Sequence, residues 1–324
     1  MRVNGTTART SVHIAMAFAM LIIAGCSTLP PDRLPTDGEP VVVVDTGAKE
    51  PRSLLPAIAI VLTSSRAAYG DVATELAQYF EGHVVYDLSD KSRPPVSVLR
   101  SINDSESAAV VAIGLRAAQS SVAMSDMPVV FSQVFNYQDH DLVNGKSRGV
   151  AATAPLAAQL KVWKKLDPTM THVGLIIGEG HDELIVEAEN AAADLDMQLH
   201  VRISHSDQET LYSFRRMVRD IDGFWLFPDN RILSSRVLEQ MLDEAGRRQV
   251  PVVVPNESML AMGAAISIST VASDIAETIA SVIRRIQAGE IDKIPPITQL
   301  SEIRVTTNDD VLRKHTVART ADRQ

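Results

Sequence analysis

Ala57-Ile-Ala-Ile-Val-Leu-Thr-Ser-Ser65 is the first of a series of short apolar runs, each closed by a polar or glycine-bearing loop. Residues 57–62 are too few for a helix and lack the polar alternation of a half-buried strand, so they read as a strand covered on both faces. An amphipathic stretch over 69–80 comes next, and 83–86 is the second strand. The form repeats with a strand over 107–113 closed by Gly114, then a helix over 115–123. A further run at 128–131 leads into a polar loop that continues to Gly149. Near-continuous Val, Ile and Leu runs alternating with helices predict parallel strands with helices on both faces.

The scheme restarts beyond Gly149. Helices over 155–166, 182–195, 209–218 and 234–248 alternate with strands over 172–177, 198–203, 223–227 and 250–254. A run at 264–269, a helix over 271–287 and a tail around Ile303 close the pattern. Two successive units of about one hundred residues, joined near Gly149, predict an α/β protein of two doubly wound lobes with parallel sheets. In such sheets ligands lie beyond the carboxyl ends of the strands, so the loops after each apolar run are where site residues are expected.

The amino-terminal segment has a different character. Arg2 and Arg9 precede an apolar core over 14–24, whose 11 residues fall short of the roughly 20 needed to span a bilayer. It ends in Leu21-Ile-Ile-Ala-Gly-Cys26, which holds the only cysteine of the chain. A basic start, a short apolar core and small residues before a cut site read as a secretory signal over 1–25. Ile23-Ala-Gly-Cys26 resembles the lipobox of bacterial lipoproteins, which implies that Cys26 carries acyl chains, palmitate among them, and becomes the first mature residue. Such lipidation holds a soluble domain at a membrane surface. Residues 26–56 carry prolines at 30, 31, 35, 40, 51 and 56 and read as an extended tether, interrupted at 41–44 by a short strand laid on the domain.

Composition narrows the function classes. With 45% hydrophobic and 22% charged residues the chain is that of an ordinary globular protein. The chain beyond residue 25 exceeds the size at which one core keeps growing, so about two domains are expected. A net charge of −9 and the lack of a Lys/Arg cluster make nucleic acid and anionic lipid poor partners. With Cys26 used for the anchor, no disulfide, thiol nucleophile or cysteine-based metal site remains.

One succession of segments carries a family likeness. Asp222-Gly-Phe-Trp-Leu-Phe-Pro-Asp-Asn230 is followed by Ala245-Gly-Arg-Arg-Gln-Val-Pro-Val-Val-Val254, Met262-Gly-Ala-Ala265 and Gln287-Ala-Gly-Glu-Ile-Asp-Lys-Ile-Pro-Pro296. In order and spacing, together with Pro128-Val-Val-Phe131 and Gly149-Val150, this resembles the ABC-transporter substrate-binding lipoproteins of the family whose known members take up aromatic amino acids. The resemblance covers about residues 57–318 and implies a type I periplasmic-binding fold: two Rossmann-like lobes with parallel sheets, a central cleft between them, and crossovers near Gly149, Glu257 and Gln287. Lobe 1 is then expected over 57–149 plus about 258–286, lobe 2 over 150–257 plus about 287–318, and a disordered tail over 319–324. Two departures stand out: Asn136-Tyr137 where the family has Asp-Pro, and Ala272-Ser-Asp274 where it has an aromatic-glycine pair. With 14 aromatic residues in the whole chain, an aromatic box for a ring-bearing ligand is not evident.

The resemblance implies that Asp229 helps to hold the ligand through its amino group, a role that suits a carboxylate as a strong charge-assisted acceptor; capping by Asp229 and Asn230 is the structural alternative. Ser64 and Ser65, beside Thr63, offer hydroxyls and backbone N–H groups to a carboxylate or phosphate, or simply cap a helix. Gly114 lets the backbone approach a ligand or makes a tight turn, with Gln119 nearby. Asn136, Glu179 and Asn256 each end a strand-to-loop step and are candidates to line the cleft.

Several motifs fail. Gly178-Glu-Gly180 lacks its third glycine, since position 183 is Glu, and Gly145-Lys-Ser147 lacks the first glycine of a P-loop, since position 140 is His. His181, His200 and His205 lack zinc-ligand spacing, and no Gly-x-Ser-x-Gly elbow occurs. We therefore expect no enzyme, cofactor or metal, but a lipid-anchored protein facing the periplasm that captures a small polar, amino-acid-like metabolite for an ABC importer. The partners expected are that ligand, a permease or another envelope protein, and the bilayer reached through Cys26. The alternative is an outer-membrane lipoprotein of the same fold that regulates or scaffolds an envelope complex, since Ser27 rather than Asp comes after Cys26.

Overall fold

The structure is a computed structural model and describes residues 41–43, 54–229 and 231–313. The signal segment, Cys26, Asn230 and the tail expected over 319–324 lie outside the described residues. Both strand faces of the first apolar run are covered. In β2 (Ile58–Leu62), Ile58, Ile60 and Leu62 join one core while Ala59 and Val61 join another on the opposite face. α1 (Ala67–Leu76) covers the first face, and β3 (His83–Asp87) pairs with β2 in parallel. α2 (Pro95–Asn103) and α3 (Leu115–Met124) cover the second face. β4 (Val110–Ile113), β5 (Val129–Ser132), β6 (Ser147–Val150) and β12 (Ile297–Thr298) complete a six-stranded parallel sheet in the order β12-β6-β5-β4-β2-β3.

The second sheet has seven strands in the order β1-β13-β11-β10-β9-β7-β8. Its parallel part is β7 (His172–Ile177), β8 (Gln198–Ile203), β9 (Gly223–Trp225), β10 (Val252–Val254) and β11 (Ile266–Ser269). β13 (Ile303–Thr307) runs antiparallel to β11, and β1 (Val41–Val43) adds antiparallel to β13 at the edge. α4 (Leu156–Leu166) and α5 (Asp182–Ala193) pack on one face, α6 (Asp207–Met217) and α7 (Ser235–Arg248) on the other. The hydroxyls of Ser206 and Ser234 accept N–H groups of the first turns of α6 and α7, the expected use of serine at a helix start.

Two elements depart from the sequence reading. α2 begins at the Pro94-Pro95 pair, where proline occupies the first helical position, and buries Val98, Leu99 and Ile102. β6 is Ser-Arg-Gly-Val rather than an apolar run. It sits inside the sheet because the buried Arg148 guanidinium donates to the carbonyls of Asn144, Ser147, Ile291 and Ile294 at 2.6–3.1 Å.

The chain passes between the sheets three times. The first passage, over 151–155, lies just beyond Gly149. The second comes after Ser269 rather than near Glu257, because β11 is held between β10 and β13. α8 (Ala272–Gln287) then buries Ile275, Ala276, Ile279, Ala280 and Ile283 against the first sheet. The third passage comes after Thr298 rather than Gln287, because Ile294 enters the core of the first sheet and β12 pairs with β6. The Asp274 carboxylate, in the first turn of α8, ties the last two passages together. It accepts the N–H and hydroxyl of Ser301 and the N–H of Glu302, each at 2.8 Å.

Gly223 opens β9 directly against the buried Trp163 indole, and an added methyl would overlap that rigid ring. We expect Gly223→Ala to cost about 1–3 kcal/mol through overpacking, read as a lower denaturant midpoint at unchanged m-value.

Candidate functional site

At the carboxyl end of β9 the chain runs through Leu226, Phe227 and Pro228 to Asp229, which is 1% exposed. A carboxylate this deep must be paired and hydrogen-bonded. Its Oδ2 accepts the Gly178 N–H at 3.0 Å and Arg231 Nη2 at 2.7 Å, and its Oδ1 accepts Arg231 Nε at 2.9 Å and the Arg231 backbone N–H at 3.1 Å. Burial pushes the Asp229 carboxyl up, but the hydrogen bonds and charge of Arg231 outweigh it and hold the group well below the usual carboxylate range. The same pairing raises the pKa of Arg231. Gly178 is required here because a Cβ would come within 2.6 Å of both Arg231 Nη2 and Asp229 Oδ2.

His181 completes the lower wall. Its Nε2 lies 2.8 Å from Arg231 Nη2 and 3.7 Å from Asp229 Oδ2. A guanidinium can only donate, so in this contact the ring nitrogen is placed as the acceptor.

The upper wall belongs to the first sheet. The segment after β5 enters with Gln133 in the left-handed region at φ 59°, makes a 3-10 turn over Tyr137–His140, and leaves through Asp141 at φ 49°. It carries Phe135 onto the core of the second sheet, with its ring centroid 4.6 Å from that of His181 and 5.8 Å from that of Phe227. Four residues later Asp139 accepts Arg231 Nη1 at 2.7 Å, and Asn136 Nδ2 reaches the same Asp139 oxygen at 3.4 Å. One guanidinium thus joins a carboxylate from each lobe.

The residues singled out from the sequence divide accordingly. Asp229 is the centre of the site, and Asn136 supports its counterpart Asp139. Glu179 points away, 72% exposed, and bonds His205 Nε2 at 2.8 Å. Glu179 and Glu209 together raise the His205 pKa. Asn256 is exposed and accepts the N–H and hydroxyl of Ser258, both at 2.9 Å, as the cap of the 3-10 turn Glu257–Met262. Gly114 has φ 86°, and a Cβ there would meet Thr63 Oγ1 at 2.7 Å, so turn geometry accounts for it. Thr63 Oγ1 accepts the Ala117 N–H at 3.0 Å, in the first turn of α3. Ser65 hydrogen-bonds Asp87, and Ser64 is half-buried beside it. Gln119 Nε2 lies 3.3 Å from His140 Nδ1. Arg231, Asp139, His181 and Phe135 are the site residues the sequence reading missed. The available signal was Arg231, a cation two residues from the suspected carboxylate.

Among the described residues no cluster of three or more His, Cys, Asp or Glu is disposed to hold a metal, and no helix is long and apolar enough to cross a membrane. A cavity of about 10 Å³, room for one water, lies among Ala152, Ala154, Gln159, Trp225, Phe227 and Thr270, where the passages meet the second sheet. A larger hollow of about 300 Å³ lies at the amino ends of β5 and β6, at the opposite pole of lobe 1.

Two α/β lobes joined by three passages, with a charged site where their sheet tips meet, define a binding protein of the type I periplasmic-binding fold. Residues 84–321 match the family model described as ABC transporter substrate binding protein, and the chain belongs to that family. No curated protein sequence matches the chain. Among solved structures, an ABC domain in complex with L-Trp from Streptococcus pneumoniae superposes with a TM-score of 0.56 at 16% identity, covering 82% of this chain and 95% of its own. The ligand-free, open structure of a substrate-binding protein with adhesive properties from Clostridium difficile gives 0.61 at 14% identity, over 81% and 95%. An arabinose-binding protein from Geobacillus stearothermophilus gives 0.52 at 11%, over 80% and 98%. At these identities the likeness shows the fold alone.

The depressed Asp229 pKa sets a pH dependence. An ordinary Asp titrates near 3.9 when unfolded, so the contribution of Asp229 is complete above that value and is lost as the pH falls toward the lower folded pKa. Asp229→Asn should cost about 2–3 kcal/mol at pH 7. The gap between wild type and variant should narrow as the pH is lowered from about 5 to 3, followed by urea denaturation across that range.

Proposed function

We propose that this substrate-binding protein captures a small solute bearing a cationic amino or guanidino group between its lobes and delivers it to an ABC permease, held at the cell envelope by acylated Cys26. The observation that carries the reading is a buried carboxylate at a sheet tip, Asp229, facing Asp139 of the other lobe with one cation between them. A solute touching both lobes favours the closed arrangement by the difference of its contacts in the two states, and binding without chemistry suffices. The anionic pair excludes simple carboxylates and phosphates, which both Asp side chains would repel.

A second reading is a scaffolding or regulatory lipoprotein of the outer membrane. Ser27 favours it, as does the fact that Asp229 is already neutralised by its own chain.

The test is a thermal-shift screen of the full chain with amino acids, amines and organic acids, followed by calorimetry of any hit. Bound solute raises apparent stability by mass action, about 2.7 kcal/mol at a hundred times Kd. We expect shifts from cationic amino compounds and none from dicarboxylates. Asp229→Ala should weaken the hit by about 2–4 kcal/mol. Silence across the screen favours the scaffolding reading.

The anchor is checked separately. Cys26→Ala should move the protein from the membrane to the soluble fraction, and an unchanged distribution would remove the lipid anchor from the account. Density fractionation of the wild type tells inner from outer membrane.

A further inference from the structure

The contacts of Arg231 go beyond neutralising one buried carboxylate. Its Nε and Nη2 take both oxygens of Asp229, Nη2 also reaches His181, and Nη1 takes Asp139 across the lobe boundary. Only a planar group with five diverging N–H donors can make that set at once; a lysine at the same point could not. Yet the side chain is not part of the core. It is 27% exposed, on a turn before α7, and two residues from Asp229. Its position is a local choice of rotamer rather than a requirement of the fold.

We propose that Arg231 is an intramolecular occupant of the cation subsite. Without solute, its guanidinium stands between Asp229 of lobe 2 and Asp139 of lobe 1, latches the lobes together, and swings out when a ligand of the guanidinium or primary-amine class takes its place. The inference rests on the capture reading above and deepens it. Phe135 closes the site from the lobe 1 side, so a ligand exchanging with Arg231 needs both the salt bridge to Asp139 and the Phe135 contact to yield. Ligands without N–H donors, such as quaternary ammonium ions, cannot replace the bonds that Arg231 gives up.

The test uses the full chain and Arg231→Ala, with methylguanidinium as the probe and tetramethylammonium at equal ionic strength as the control. Calorimetry should show saturable methylguanidinium binding to the variant, at least tenfold tighter than to the wild type, and none of tetramethylammonium. Binding should vanish in Arg231→Ala combined with Asp229→Asn. Small-angle scattering should give a larger radius of gyration for Arg231→Ala and for Asp139→Asn, with methylguanidinium restoring the compact form of the former only. Arg231→Gln, which keeps most of the stem, serves as the second variant and is expected to behave in the same direction. Equal binding by wild type and both Arg231 variants, or scattering unchanged in all of them, overturns the proposal.

The failures are distinguishable. A wild type that answers no natural solute removes the capture reading, while methylguanidinium uptake by Arg231→Ala still supports an occupied subsite. A natural solute bound equally by wild type and Arg231→Ala keeps capture and removes the occupant.

Discussion

A carboxylate withdrawn from water needs a cation within hydrogen-bond reach, and the arrangement at the lobe boundary derives from that need at Asp229. Gly178 is bare so that its N–H and the guanidinium both fit against the carboxylate. His181 accepts rather than donates because the group above it can only give protons. Arg231, drawn in by Asp229, still has Nη1 to satisfy, and it does so with Asp139 of the other lobe. The boundary between lobes is therefore set by one charged group with donors to spare, assisted by Phe135 packing on His181 and Phe227. The mixture is efficient: the aromatic contact excludes water, which strengthens the ion pairs beside it.

Much of the fold is legible in the sequence because burial on both faces leaves a simple signature. β2, β4, β7 and β10 carry no polar side chain at any buried position. β6 escapes because its stability comes from Arg148 bonding four carbonyls, a pattern with no periodicity. α2 escapes because Pro94-Pro95 reads as a break, although proline suits the first turn. The passages between sheets are displaced because where a chain crosses depends on which strands pair: β11 is held between β10 and the later β13, and β12 pairs with β6, far away in sequence.

The site is half legible. Asp229 stands after a strand, which is local information, but its role as a ligand carboxylate is legible only through the family resemblance. Its partner across the boundary is not, since nothing in the sequence near Asn136 or Asp139 names the cation they face. Asn256, Gly114 and Thr63 do what their residue types do anywhere: cap, turn and close a helix end. Loop polarity after a parallel strand marks a neighbourhood; pairing of charges marks the site.

The three passages bear on how such a site can work. Asp274 binds the last two through Ser301 and Glu302, which ties them side by side. A closed state held by Arg231 then competes with a closed state held by solute. A ligand gains only the difference between the two sets of contacts, so its apparent affinity is scaled down by the fraction of molecules with the site vacated. That cost falls equally on every solute, but recovery of it does not. Only a molecule with N–H donors for both Asp139 and Asp229 regains what the guanidinium supplied, whereas a poorer match leaves a buried carboxylate unsatisfied. An internal cation of this kind therefore lowers affinity across the board, while the gap between a matched and a mismatched solute is set by the two carboxylates themselves.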